Sequence, residues 1–580
     1  MKQLKFSEII QQNNKLYDTL PCPYYNISIL SNIIVSQINP VLEYSLRIDD
    51  IPAKCVSGEY NNILQDSQRD LQSNAVVIFW EMANLIDGLQ YKANVLNKDE
   101  IETLIARFKS EIEFVIKNLT DNPLVIFNKF SAIVFNQHYI NKNNFDIICD
   151  SLNEHLAKSA PENMVIIDID KVIARLSISI AVDFRNYYAS KNLYSVEFFK
   201  EYVSFITPII KSINGKTKKA LILDCDNTLW NGIIGEDGMD GVTMSALTQK
   251  GVFYEEAQYI ALELAIKGIF IALNSKNNPE DVNKLLIEHP DIILKDERIA
   301  VKMINWQEKY LNLKSIAEQL NISFDSLVFV DDSDFEIDLI KKFIPQVTTI
   351  QVPKDRYLYP EEIRKKMGLF YSKSETKEDL SRIKMFKQGI ERETSRLSFQ
   401  NIDEYLFSLG MHLTIYIDDK RLARRIAQLT QKTNQFNFTT RRYTEADILN
   451  FIDLEGYSVF AIALKDRFGD FGVTGVAILK VENQEATFDT FLMSCRILGR
   501  KIEIQFIDEI IRYFAGKDIK LIRSIYINTQ KNSQVANFFD EIGFTLDNQS
   551  ALAKNYSVVL ENYQYHSNAF IETKILTYAK

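Results

Sequence analysis

Leu221-Ile222-Leu223-Asp224-Cys225-Asp226-Asn227-Thr228-Leu229-Trp230 is the stretch on which the fold turns. An apolar run closing in Asp-x-Asp-x-Thr puts two carboxylates at the carboxyl edge of a parallel sheet, where open α/β folds bind ligands. Acids this close repel unless something neutralises them, and a hard divalent cation with oxygen ligands does so. Working outward, 269–273 (IFIAL) reads as the next strand and leads into Asn274-Ser275-Lys276, a hydroxyl at the same edge. A later strand, 327–330 (LVFV), leads into Asp331-Asp332, with Glu336 following. Between them Trp306-Gln307-Glu308-Lys309 supplies a cation, and Lys302 and Lys314 are near enough in sequence to compete for that place.

A nucleophilic carboxylate, a second acid, a hydroxyl, a lysine and an acid pair for metal make the set that phosphoryl transfer through an aspartyl phosphate requires. They provide attack, protonation of the leaving group, and neutralisation of the phosphate oxygens. A response-regulator receiver shares an acid pair, an aspartyl phosphate and a lysine, but its motif order differs and it lacks the counterpart of Asp226. Between Thr228 and Ser275 there is room for a flap-like turn, 231–238, and one helix, 247–266, but not for an inserted cap domain. The interval from Ser275 to Asp331 is equally short of space for one. An uncapped site has to be closed against water by a large substrate, a partner or a neighbouring domain.

These four ordered motifs resemble those of the haloacid dehalogenase superfamily. The resemblance implies Asp224 as nucleophile and Mg²⁺ ligand. It implies Asp226 as general acid/base, touching the metal through its backbone carbonyl. Ser275 and Lys309 would hold the phosphoryl group, with Asn227 and Thr228 beside them, and Asp331 would complete the metal site supported by Asp332. The longer string 224–238 is similar to the FkbH-like branch, subfamily IIIC, with Asn231 where that branch usually has Gly. Ser275-Lys276-Asn277, Asn305-Trp306, 431–437 (QKTNQFN), 465–470 (KDRFGD) and 494–500 (SCRILGR) continue the likeness. Such proteins are thought to take a glyceryl unit from 1,3-bisphosphoglycerate, remove phosphate, and deliver the acyl group to an acyl carrier protein in polyketide-type biosynthesis. A plain phosphatase acting on sugar phosphates in surface-polysaccharide assembly is the alternative, and a non-catalytic scaffold is the alternative of another class.

The rest of the chain frames that centre. At 580 residues several cores are expected, and 46% hydrophobic with 25% charged residues is ordinary for globular domains. The net charge of −10 gives no global support for a nucleic-acid or anionic-membrane surface. No apolar run reaches a membrane span, and five scattered cysteines fit a reducing cytoplasm without a disulfide framework. Three α/β domains with a linker are expected: 1–215, 216–371, linker 372–396, and 397–580.

In the first domain, apolar runs 26–30, 75–79, 124–127 and 164–169 alternate with helices and suggest a covered parallel sheet. It resembles a degenerate SGNH-type hydrolase fold (flavodoxin-like). No Gly-Asp-Ser follows the first strand, and no histidine lies between His155 and His289, so Ser31 is read as a turn residue and the domain as non-catalytic.

The last domain reads as α+β, with strands 475–479, 486–492 and 522–527 and helices 502–514 and 533–542. Its closing motif, from Asn532 to Phe544, resembles that of GNAT acyltransferases. Arg496-Ile497-Leu498-Gly499-Arg500-Lys501 follows a strand and opens a helix, a junction that suits a phosphate. Lys501 stands where that family has Gly or Ala, which argues against ordinary acetyl-CoA use; the expected ligand is the phosphopantetheine arm of a carrier protein, held by Arg496, Gly499, Arg500 and Asn532, with a purely structural GNAT-like domain as the alternative. Cys495, beside Arg496 and a helix N-terminus, is a candidate acyl-thioester carrier. Cys225 is not, because flanking carboxylates oppose its thiolate.

Overall fold

A computed structural model describes the chain except for residues 1–3, 19–22, 70–72, 373–385, 387, 389–398, 400, 495–496, 530–531, 551, 567 and 579–580. It divides into two compact units, Met1–Asn214 and Gly215–Lys580. The expected linker, 372–396, falls almost wholly outside the described residues, as do Cys495 and Arg496.

The first unit is a five-stranded parallel sheet. Its strands are β1 (Tyr25–Ser31), β2 (Ala53–Ser57), β3 (Ala75–Phe79), β4 (Val125–Asn128) and β5 (Met164–Ile167), in the order β2-β1-β3-β4-β5. β3 (AVVIF) is buried at every position, as a strand covered on both faces must be. β2 (AKCVS) is an edge strand, largely open on its outer side, and carries no apolar run for sequence to reveal. The expected strand at 164–169 stops at Ile167, because the Asp168 side chain accepts from the Asp170 amide and caps the helix Ile169–Leu176.

The second unit holds two sheets. The first comprises β6 (Ala220–Leu223), β7 (Phe270–Ser275), β8 (Ile299–Ile304), β9 (Leu327–Asp331) and β10 (Thr348–Gln351), all parallel, in the order β10-β9-β6-β7-β8. β6 is therefore central, with Leu223 opposite Leu273 on one side and Val330 on the other. The carboxyl ends of β6, β7 and β9 thus converge on one patch of the sheet edge. The expected helix 247–266 is shorter, Val252–Ile266, because a turn over 245–251 precedes it. From Thr228 to Asp331, a stretch described throughout, no cap domain is inserted.

The second sheet of this unit has eight strands: β11 (Met411–Ile417), β12 (Tyr457–Asp466), β13 (Gly469–Glu482), β14 (Glu485–Met493), β15 (Leu521–Ile527), β16 (Thr545–Gln549), β17 (Ala553–Val559) and β18 (Ile571–Thr577). Their order is β16-β17-β15-β14-β13-β12-β11-β18, antiparallel except at β14/β15 and β11/β18. Helices Ala423–Lys432 and Glu445–Asp453 pack with one hydrophobic cluster and Ile502–Ala515 with another. The helix expected over 533–542 is broken: only Ser533–Val535 and Phe538–Glu541 are helical, because Asn532 and Asn537 lie near φ −114°. Among the described residues no helix is long and apolar enough to cross a membrane.

Candidate active site

Asp224 follows the last residue of β6, its amide donating to Val330 O at 3.0 Å, so the sheet itself fixes the carboxylate at the edge. It is 4% exposed. Lys309 opens the helix Lys309–Leu320, and its Nζ lies 2.8 Å from Asp224 Oδ1 and 2.7 Å from Asp331 Oδ2. Asp331, the last residue of β9, is fully buried and also accepts from the Ser333 amide. Carboxylate oxygens of Asp224, Asp331 and Asp332 lie within 4.8 Å of one another.

One ammonium cannot balance three acids. Burial, and then the Asp224 charge, push the Asp331 carboxyl up to about 7 even with Lys309 beside it. Asp332 is raised by the same two causes, opposed by Arg356, whose guanidinium reaches its carboxylate at 3.2 Å. Burial works against the Lys309 charge, but Asp224 and Asp331 outweigh it and hold the ammonium protonated well above the ordinary lysine range. The donor set, all hard carboxylate oxygens with surplus negative charge, fits Mg²⁺. Asp224, Asp331 and Asp332 are the residues that would hold it.

Asp226 is expected to touch the metal through its backbone carbonyl, which leaves its carboxylate free for other partners. Oδ1 accepts from Trp230 Nε1 at 2.9 Å and the Ile234 amide at 3.0 Å, and Oδ2 accepts from Asn277 Nδ2 at 2.9 Å. The acid is thus held between the flap and the end of β7, off the carboxylate cluster. Asn277 also donates to Ser275 Oγ at 3.1 Å, which ties the hydroxyl to the acid. Asn227 sits at φ +54°, its side chain accepting from the Gly232 amide, and this left-handed turn swings the chain from the strand end into the flap. Asn231, where the resembled branch has Gly, exchanges both backbone bonds with Thr243 and adds a side-chain bond to its hydroxyl at 3.2 Å, pinning the base of the flap.

Thr228 Oγ1 is buried without a hydrogen-bond partner. Such an orphan at a site rich in charge has the chemistry of a phosphate donor. Of the competing lysines, Lys302 bonds Asp296 and Asn283 on the surface, and Lys314 is exposed and lies over the Tyr310 ring. Only Lys309 of the three is in the cluster.

Arg356 was not legible in sequence: it lies well beyond Asp332 in a polar segment after β10 with no motif of its own. The Tyr254 and Tyr359 hydroxyls are also buried and unpartnered, with ring centroids 6.1 Å apart. Lys276 bridges Glu308 at 3.3 Å and Glu336 at 2.9 Å, tying the loop after β7 to the starts of the helices Lys309–Leu320 and Asp334–Phe343.

Of the residues expected to hold pantetheine, Arg496 lies outside the described residues and the other three are placed as follows. Arg500 points back over the Phe471 ring and lies 3.6 Å from Asp466. Asn532 is fully buried, donating to Asn437 O and Ile527 O and accepting from the Thr529 amide. Gly499 adopts φ +74° before the helix Ile502–Ala515, with open space where a Cβ would stand. In the first unit, Ser31 Oγ donates to Ile33 O and accepts from the Ile33 amide, closing a turn.

Neither a family model nor a curated protein matches this sequence. The chain is similar to a solved structure of the N-terminal part of the protein BF1531 from Bacteroides fragilis, which contains a phosphatase domain complexed with Mg. Identity is 25%, covering 64% of this chain and all of that one, with a TM-score of 0.56. It is also similar to ribosomal-protein-S18-alanine N-acetyltransferase from Escherichia coli, at 13% identity over 27% of this chain and 97% of that one, TM-score 0.21. Spermidine N-acetyltransferase SpeG from Vibrio cholerae aligns at 16% over 26% and 95%, TM-score 0.22. Likeness as low as these last two says nothing further about this chain.

Proposed function

We propose that this chain is a Mg²⁺-dependent phosphatase of the haloacid dehalogenase type that works through an aspartyl phosphate. The observation that carries this reading is Lys309 bridging Asp224 and Asp331, with Asp332 alongside, at the end of the central strand. Similarity to a solved phosphatase domain complexed with Mg supports it. Bound Mg²⁺ would supply charge neutralisation for the phosphate oxygens and for the surplus carboxylates.

Asp224 attacks phosphorus, forming an acyl phosphate while the bond to the leaving oxygen breaks. Asp226, held by Trp230, Ile234 and Asn277, gives that oxygen its proton. The same carboxylate then takes a proton from water, which attacks the aspartyl phosphate and releases inorganic phosphate with Asp224 restored. Lys309, Ser275 and Thr228 hold the phosphoryl oxygens.

For the substrate we propose the glyceryl unit of 1,3-bisphosphoglycerate: the thiol of an acyl carrier protein attacks the acyl carbon and displaces the acyl-bound phosphate to give a thioester, and Asp224 removes the remaining phosphate ester as inorganic phosphate. The absence of a cap between Thr228 and Asp331 supports a substrate closed in by a partner. Phosphate release should be measured from 1,3-bisphosphoglycerate, acetyl phosphate and a sugar-phosphate panel, with Mg²⁺ or EDTA, alongside Asp224→Asn. Release that needs Mg²⁺ and Asp224 is expected. Release indifferent to both would sink the proposal, and turnover confined to sugar phosphates would favour the surface-polysaccharide role.

A further inference from the structure

β14 and β15 run parallel but pair only where Glu485, Ala486 and Thr487 face Leu521, Ile522 and Arg523. Beyond these residues the strands part. Backbone groups facing such a gap must find partners, and an extended ligand laid against one strand edge is one way to supply them. The segment 494–501 leads from β14 to the helix Ile502–Ala515. An arm with its phosphate at that helix N-terminus would therefore run along the free edge of β14 into the gap.

The chain's own residues already occupy this track. Phe438 N donates to Phe491 O at 3.1 Å, Met493 N to Phe436 O at 3.0 Å, and Ile527 N to Phe438 O at 2.8 Å. One short segment thereby satisfies both parted strands. Asn437 is completely buried and forms an antiparallel bridge with Leu492, while its carbonyl accepts from Asn532 Nδ2 at 2.9 Å. The rings anchor the segment: Phe438 lies 4.7 Å from Phe539 and 5.4 Å from Phe491, and Phe436 lies 5.5 Å from Phe538, centroid to centroid.

We infer that the eight-stranded domain is closed to an acyl-pantetheine arm, its strand gap filled by Phe436, Asn437 and Phe438. Asn532 is then a brace for the filling segment and not a ligand contact. Removal of the plug would strand backbone groups on both β14 and β15 and expose two phenylalanines, which ligand contacts along one edge do not replace. Any transfer of an acyl unit to a carrier thiol therefore takes place away from this gap. The inference is independent of the phosphatase reading, which Asp224→Asn tests separately.

The test uses the full chain with coenzyme A and pantetheine 4′-phosphate as probes, in calorimetry and amide hydrogen exchange. No saturable binding is expected at millimolar probe, and the Phe438, Met493 and Ile527 amides should be among the slowest to exchange, with or without probe. Asn532→Ala should speed exchange at Phe438 and Ile527 by about tenfold, the effect of losing a buried hydrogen bond. Saturable coenzyme A binding that deprotects Phe438 overturns the inference. So does an Asn532→Ala variant that weakens coenzyme A binding while leaving exchange unchanged.

Discussion

The chain carries two five-stranded parallel sheets whose carboxyl edges are furnished very differently. At the edge of β1–β5, among the described residues, the most strongly raised acid is Glu81, and it is enclosed. Tyr194 donates to its carboxylate at 2.8 Å, and Asn32 exchanges bonds with its backbone amide and carbonyl. Burial raises it to about 7, against the pull of Tyr194 and the Ala83 amide. At the edge of β6–β10, Lys309 bridges two of the three gathered carboxylates, the third pairs with Arg356, and the Thr228 hydroxyl lies buried without a partner. The same architecture thus serves two ends. An acid that can stay neutral among fixed partners is part of the framework, whereas charges gathered in excess await a cation and a substrate.

The sharpest way to break this contrast is substitution at the two strand ends. Asp224→Asn should lower phosphate release by about a thousandfold or more, since it removes the nucleophile. Ser31→Ala, at the end of β1, should leave release within about twofold, because its hydroxyl only closes a turn. A comparable loss from Ser31→Ala would return the first sheet to the list of catalytic candidates.

Lys309→Met should cut release roughly a hundredfold, the usual effect of losing one group that stabilises developing charge. It also leaves Asp224 and Asp331 unbridged. Differential scanning fluorimetry should therefore show a lower melting temperature without metal and a larger rise on adding Mg²⁺ than in the parent chain. Equal Mg²⁺ stabilisation of both proteins would speak against a shared cation site.

Glu81 gives the first sheet a pH signature. Its folded-state pKa is raised, from 4.5 to about 7, so the folded state holds the proton more tightly than the unfolded one. The associated stability is present below about pH 4.5 and is lost as pH rises through about 7, on the order of 3 kcal/mol in all. Glu81→Gln should flatten this part of the denaturation-against-pH profile and leave phosphate release unchanged. An unaltered slope would place the titration elsewhere.

The smallest effect is expected at Arg356, which pairs with Asp332 while about a third of its side chain remains exposed. Arg356→Ala should raise the Mg²⁺ needed for half-maximal activity by about tenfold, the low end for a partner that orients a metal ligand. At saturating metal, kcat should recover. A kcat that stays low would make Arg356 a substrate contact.

Much of the two parallel sheets was legible because their central strands are continuous apolar runs. β6 (ALIL) and β3 (AVVIF) coincide with the runs read from sequence. Three of the four edge strands were hidden by their half-burial: β2 (AKCVS), β10 (TTIQ) and the lysine-bearing β8 (IAVKMI) mix polar and apolar residues because one side meets water, whereas the edge strand β5 (MVII) was legible. In the eight-stranded sheet, β11, β16, β17 and β18 escaped because polar residues interrupt their apolar positions, whereas β12 carries the apolar run 459–464 (VFAIAL) and was overlooked. The 533–542 stretch looked helical by composition, yet Asn532 and Asn537 break it, and Asn532 bonds instead to Asn437 and Ile527.

Sequence alone determined that acids end two neighbouring strands, since a strand terminus is a local signal and a parallel α/β sheet brings such termini to one edge. It could not choose among Lys302, Lys309 and Lys314, place Arg356 against Asp332, or turn the Asp226 carboxylate away from the cluster toward Trp230 and Asn277. Nor could it show that Phe436, Asn437 and Phe438 fill the gap between strands more than fifty residues further along the chain. Those matters were decided by the tertiary structure. Coulomb pairing, backbone satisfaction and ring packing depend on distances in space, which the order of residues along the chain does not contain.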